Sequence, residues 1–344
     1  MIAVGHRDEA PAIAAAGLAN LASHAAMRPE SGFKIASIGK SFLSALTLML
    51  VDEGKLGLDD KLSRFVPDVA NAGRVSLRQL LNHTAGYDDY ITDTFIAAAH
   101  AQPGKRWTPR ELLAFAHPET LNFSPGSRFD YSNTNYLLVG MALEAALGHA
   151  PSTEIRRRFL IPLGLTQTWF AAEDEIPAGY LARGYGDLDD SSTLADATGE
   201  PAELGGADGA MLSSAADLVR WSAALLGGRV LSKARLGDML SFVGIDDEDS
   251  APGSGYGLGI ERARYAGVML YGHTGSAPGY DVAMLYEPVT ETTIVVALNE
   301  DPPDETLIDI IAERVVRAID DTAKVRFPKA PEIKTPDVET PPAP

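Results

Sequence analysis

Residues 33–54 read FKIASIGKSFLSALTLMLVDEG. The first four, Phe33-Lys34-Ile35-Ala36, have extended character, and a helix is expected from about Ser37, a good starting residue, to Gly54, a good stop. Phe42, Leu43, Leu46, Met49 and Leu50 recur at helical spacing, while Ala45, Leu48 and Val51 fill much of the other side, so this helix should be buried nearly all round. It is too short, and too often interrupted by Ser44 and Thr47, to span a bilayer. Ser37 sits where backbone N–H groups lack helical partners, and Lys40 follows one turn later on the same face, within reach of the hydroxyl. A nucleophile and its activator fit that geometry. So does a plain helix cap, and taken alone the four residues favour the cap. A second Ser-x-x-Lys, Ser31-Gly32-Phe33-Lys34, lies in a turn marked by Pro29 and Gly32, with no helix to align the pair.

The rest of the chain narrows the class. Its 344 residues suit two lobes around one site, and 45% hydrophobic against 22% charged residues allows a sizeable core. The net charge of −18 argues against nucleic acid or an anionic membrane as partner, since both need a basic face. The absence of cysteine excludes disulfides, thiolate zinc sites and a cysteine nucleophile. It leaves the compartment open. No basic segment followed by an apolar core opens the chain, so it is expected either to stay in the cytoplasm or to start after a removed leader.

Strands are expected at residues 2–4 and 13–16, then the central helix, then helices at 75–83, 95–101, 109–116, 136–147 and 151–160. Residues 171–206 read as surface loops, and 215–226 as an amphipathic helix. Strands at 256–260, 268–271, 282–287 and 292–298 follow, with a closing helix at 306–319 and a Pro-rich tail from 327 expected to be disordered. Strands at both ends and helices between them imply one antiparallel sheet flanked by helices (1–55 and 207–323), an inserted helical lobe (56–206) and the tail (324–344).

Two further stretches suit a site with Ser37. Tyr131-Ser132-Asn133 stands on a polar loop before a helix; a phenol beside a cation can relay protons, and a carboxamide can hold a carbonyl. Asn133 equally suits a helix cap. His273-Thr274-Gly275-Ser276 precedes a Gly and Pro turn, where small residues let a ligand lie along a strand edge and the Ser276 N–H could meet an oxyanion; an ordinary hairpin fits as well. The seven histidines form no metal-ligand spacing, and no HExxH or Gly-x-Ser-x-Gly occurs. Gly255, Gly257 and Gly259 lack dinucleotide spacing, Arg156, Arg157 and Arg158 read as a solvated helix face, and His83 as a support for the turn at 84–86.

In order and context, Ser37-Ile38-Gly39-Lys40, Tyr131-Ser132-Asn133 and His273-Thr274-Gly275 resemble the motifs of the penicillin-recognising serine hydrolases: class C β-lactamases, D-alanyl-D-alanine peptidases, D-aminopeptidases and related esterases. Supporting stretches match at residues 80–86, 123–126, 209–214 and 278–280. The resemblance implies an α/β fold of the β-lactamase/DD-peptidase type. It also implies a cofactor-free, metal-free hydrolase of amide or ester bonds, acting on a small molecule or peptide through an acyl-enzyme on Ser37. Lys40 and Tyr131 would move protons, Asn133 would align the acyl part, and the N–H groups of Ser37 and Ser276 would hold the oxyanion. A carboxylesterase on small esters, or a penicillin-binding sensor without turnover, shares these motifs. Class C β-lactamases carry lysine where His273 stands; histidine there resembles the peptidases and esterases, and is expected to read a substrate carboxylate, with Thr274, only when protonated. The helix that usually precedes the first strand is missing, which would leave one sheet face bare unless the chain is truncated or the C-terminal helix does more.

Overall fold

The structure, a computed structural model, describes residues 1–326 apart from 8, 103, 188–192, 201–210, 246–251 and 302–306. The tail from 327 and the Gly209-Ala210 part of one supporting stretch lie outside the described residues.

The chain begins with a hairpin of β1 (Ile2–His6) and β2 (Ala12–Ala14), then a ribbon of β3 (Leu18–Asn20) and β4 (Ala25–Ala26), then β5 (Gly32–Lys34). One 3-10 turn, Ala36–Ile38, leads into α1 (Gly39–Asp52). Helices α2 (Leu77–Leu81), α3 (Asp93–Ala101), α4 (Pro109–Phe115), α5 (Asn133–Leu147) and α6 (Pro151–Ile155) follow. Short strands β6 (Trp169–Phe170), β7 (Tyr185–Gly186), β8 (Ala195–Asp196) and β9 (Met211–Ser214) precede α7 (Ala215–Leu226) and α8 (Lys233–Met239). The last part holds β10 (Val243–Gly244), β11 (Gly255–Tyr256), β12 (Glu261–Tyr265), β13 (Val268–Ala277), β14 (Tyr280–Glu287), β15 (Thr292–Leu298) and α9 (Leu307–Arg326).

The main sheet has eight strands in the order β10-β11-β12-β13-β14-β15-β1-β2, every pair antiparallel. Both faces are covered, as period-2 side chains require in strands without polar alternation. On β14 and β15, Val282, Met284, Val295 and Ala297 face the larger core with α1 and α7. Their neighbours Ala283, Leu285, Ile294 and Val296 face α9, where Ile308, Ala312 and Val316 meet them. The C-terminal helix thus takes the face that sequence alone left bare.

α1 is buried on nearly every side, and its polar residues are hydrogen-bonded rather than solvated. Ser41 Oγ accepts the Trp221 indole N–H at 2.8 Å, Ser44 shares a 2.8 Å bond with the Tyr136 hydroxyl, and Thr47 donates to the Leu43 carbonyl. Those three bonds let a central helix carry hydroxyls without an unpaired buried group.

Three local expectations shift. In the apolar run 256–260 only Tyr256 is strand, closing the two-residue β11, and 257–260 make a buried bend, with Leu258 and Ile260 in the larger core. The strand there is Glu261–Tyr265, whose ERARY sequence hides its alternation behind charge. β13 runs on through Ala277, so His273 to Ser276 belong to the strand and only Pro278-Gly279 forms the turn, with Gly279 at φ 78°. Finally, Arg158 is no solvated residue: its side chain is 8% exposed and joins Glu53, just past the end of α1, to Glu154 of α6.

Trp221 ties α7 to α1, stacking on Phe42 with ring centroids 3.9 Å apart besides its bond to Ser41. Trp221→Ala is expected to cost about 3–5 kcal/mol in urea unfolding, and Trp221→Phe clearly less. Equal losses would place the stability in the hydrogen bond alone.

Candidate active site

The extended β5 pairs with β9 and delivers the chain into the turn at Ala36–Ile38. Ala36, buried and without a glycine's freedom, takes φ 43°, a backbone strain of about 1–3 kcal/mol that the surrounding core must offset. Ser37 makes no capping bond at this turn or at the start of α1. Its hydroxyl oxygen instead accepts from Lys40 Nζ at 2.8 Å and from the Tyr131 hydroxyl at 2.8 Å. The second Ser-x-x-Lys makes no such pair: Ser31 Oγ accepts the Arg28 N–H, and Lys34 lies over the Tyr280 ring.

Lys40 is fully buried. Besides Ser37, its Nζ donates to Asn133 Oδ1 at 2.7 Å, and it sits 5.2 and 5.7 Å from the ring centroids of Tyr131 and Tyr136. Asn133 opens α5 but does not cap it. Its amide is oriented by Asp89, which accepts from both Asn133 N and Nδ2, at 3.0 and 2.9 Å, so that Oδ1 must face Lys40. Asp89 carried no sequence signal; an aspartate between helices reads as an ordinary loop residue.

His83 does more than support a turn. Its Nδ1 accepts the Ser132 N–H and the Asn135 amide, and its ring stacks on Tyr131 with centroids 4.2 Å apart. The loop beneath is held by Asp130 N donating to the His83 carbonyl and Gly126 N to the Thr84 carbonyl. A side chain at Gly86, φ 90°, would come within 2.6 Å of the Phe123 carbonyl. Residues 82–86 and 123–130 therefore form one support for Tyr131.

β13 brings the third motif alongside. A Cβ on Gly275 would collide with the Ile35 carbonyl and stand 3.2 Å from Ser37 N, so only glycine lets the strand lie this close to the turn. Its ladder with β12 ends at Gly272, whereas that with β14 runs to Ala277. From His273 to Ala277 one edge of β13 is thus without a strand partner among the described residues, and Ser276 on it is exposed.

His273 departs from the expectation of a titrating cation. The ring is 1% exposed. Nδ1 lies 2.5 Å from the Thr274 carbonyl, which can only accept, so Nδ1 carries the proton and Nε2 accepts from the Tyr256 hydroxyl at 2.7 Å. Burial, with the Lys40 charge adding to it, pushes the imidazole down to about 3, and burial and Lys40 likewise hold His83 well below its ordinary value. Neither ring offers a charge to a substrate carboxylate at neutral pH; both His273 nitrogens are engaged, and the unpaired Nε2 of His83 is buried. Thr274 is also engaged: its N–H and hydroxyl donate to Glu261. Tyr256 and Glu261 were invisible in sequence because the partner of each is remote in the chain or on a neighbouring strand.

Ser37, Lys40, Tyr131 and Asn133 thus converge from the Ala36–Ile38 turn, α1, a loop and α5, with the edge of β13 beside them. A family model described as Beta-lactamase matches residues 1–317. The chain belongs to that family. It is 27% identical over 300 residues to Penicillin-binding protein 4* of Bacillus subtilis (strain 168), covering 84% of this chain and 65% of that protein. It is likewise 27% identical over 271 residues to the D-aminopeptidase of Brucella anthropi, covering 77% and 49%. It spans less than two thirds of either relative's length. Among solved structures, the D-amino acid amidase from Ochrobactrum anthropi SV3 complexed with L-phenylalanine amide superposes with a TM-score of 0.83, at 28% identity over 93% of both chains. No described helix is long and apolar enough to cross a membrane.

The histidine assignments carry a sign. A ring held neutral by burial supports stability fully above about pH 6.5, the unfolded value. That support drains away as pH falls toward about 3 for His273, because the unfolded chain takes up a proton that the folded chain refuses. In an NMR titration the His273 ring should keep neutral shifts down to pH 5, and the His83 ring should protonate well below an exposed histidine. Protonation of His273 near pH 6 would restore the charged reader.

Proposed function

We propose that the protein is a serine hydrolase that cleaves amide or ester bonds of small molecules or short peptides through an acyl-enzyme on Ser37. The observation that carries this reading is the half-buried Ser37 hydroxyl held between Lys40 Nζ and the Tyr131 hydroxyl, 2.8 Å from each, beside the free edge of β13. Two proton carriers on one oxygen are more than a structural serine needs.

In the proposed cycle the pair acts once it has given up one proton to solvent, so that Lys40 Nζ or the Tyr131 oxygen can accept the Ser37 proton as the serine oxygen attacks the substrate carbonyl. The N–H groups of Ser37 and Ser276 face the developing oxyanion. Tyr131 returns the proton to the leaving amine or alcohol as the carbon–heteroatom bond breaks. A water, deprotonated by the same pair, then releases the acid and restores Ser37. Asn133, kept in register by Asp89, holds Lys40 at the hydroxyl. The similarity to an aminopeptidase and an amidase supports amides of amino acids or their peptides as first substrates to try.

A fluorophosphonate or penicillin label should add one acyl or phosphonyl group at Ser37, absent from Ser37→Ala and retained in Ser31→Ala; the opposite pattern would move the nucleophile. Lys40→Ala and Tyr131→Phe should each lower kcat by about 10²-fold or more, and the double variant by far less than the product. Multiplicative losses would mean two independent roles. Asp89→Ala, which frees the Asn133 amide to rotate, should lower kcat by about tenfold, the size of one lost charge-assisted bond. A change in KM alone would make Asp89 a substrate contact.

A further inference from the structure

The free edge of β13 raises the question of which charge a ligand can carry there. At its start stands Glu261, the first residue of β12, paired in register with Gly272. One carboxylate oxygen accepts the Thr274 N–H at 3.1 Å and the Thr274 hydroxyl at 3.3 Å, and the other lies 3.4 Å from that hydroxyl. Glu261 thus occupies the donors that the third motif would offer to a substrate carboxylate.

The surroundings do not neutralise it. His273 Nδ1 is 3.4 Å away, but its proton points to the Thr274 carbonyl and the ring is uncharged. From α9, Asp309 adds a like charge, and from α1 the Lys40 charge acts only at longer range. Among the described residues Glu261 has no ion pair with a lysine or arginine. Its side chain is 25% exposed, so a ligand can reach it.

From this geometry we infer that Glu261 is a specificity-determining residue: it selects substrates that place a cationic group, not a carboxylate, at the Thr274 end of β13. The inference rests on the acyl-enzyme reading for its location beside Ser37, and it names the substrate class of that same site. Burial, reinforced by Asp309 and opposed by the Thr274 donors and Lys40, pushes the carboxyl up to about 7. The preference therefore has a direction. Above about pH 7 the ionised carboxylate attracts a cation and repels a carboxylate; below it, the neutral acid can donate to a carboxylate and loses its hold on the cation.

A matched series tests this: p-nitrophenyl esters of one acyl skeleton ending in trimethylammonium, in the neutral tert-butyl isostere, or in carboxylate. None of the three changes charge between pH 5.5 and 8.5. At pH 8.5 the cationic ester should show a KM about fivefold below the neutral one, the factor for one partly exposed charge pair, and the anionic ester a KM above it. At pH 5.5 the cation and anion should converge. Glu261→Gln should remove the pH dependence of the ratio, and Glu261→Lys should reverse the preference. The pH comparison on the unaltered protein needs no variant to fold. The same ratios among the three ester classes at both pH values, or a cation preference that survives in Glu261→Gln, would overturn the assignment. If no ester is turned over and Ser37 is not labelled, the acyl-enzyme reading fails instead. Calorimetric binding of the three corresponding alcohol-free acids then decides Glu261 by the same order of affinities.

Discussion

A lysine nitrogen with no contact to water has to be satisfied by the protein, and the site is organised by that demand on Lys40. Two neutral oxygens, of Ser37 and Asn133, accept from it, and two tyrosine rings lie within cation–π range. The nearest negative charge on this path, Asp89, acts through the Asn133 amide, whose Nδ2 it holds so that the carbonyl end faces the lysine. An amide between two charges is polarised by both, so the arrangement stabilises the cation.

Burial, with the same cation adding to it, keeps the two histidines neutral. Burial is the larger cause, and a charge at Lys40 makes a second positive charge nearby more costly still. Each ring is then used as a shaped hydrogen-bonding plate: His83 behind Tyr131, and His273 between Tyr256 and the strand backbone. Lys40 and Tyr131 at Ser37 are thereby framed by two neutral rings.

How far this was legible from sequence follows from the range of the interactions. The burial of α1, the apolar β14 and β15 and the closing helix depend on local periodicity, which a sequence displays directly. The Ser37, Lys40, Tyr131 and Asn133 cluster was accessible through motif order, although the 94 positions between Ser37 and Tyr131 are bridged only by the fold. The run 256–260 reads as a strand because Leu258 and Ile260 are apolar for reasons of loop burial, while β12, which starts at Glu261, carries three charges in five positions. His273 was read by its residue type; its behaviour is set by Tyr256, seventeen positions away, whose hydroxyl occupies Nε2. No pattern in one sequence announces such a pairing.

The antiparallel ladder itself supplies the last step. A strand that outruns its neighbour must leave N–H and C=O groups facing something other than a ladder. β13 outruns β12 by five residues beyond Gly272, and the first of the stranded donors, the Thr274 N–H, is met by Glu261. The remainder of that edge passes the Ser37 turn at the closest approach a glycine permits. The chain thus caps the start of an exposed edge with its own carboxyl and leaves the rest beside the candidate nucleophile. An edge partly paired in this way is protected from adding another strand, yet retains room for one extended ligand, and the electrostatic character of that ligand's end is set by the residue that does the capping.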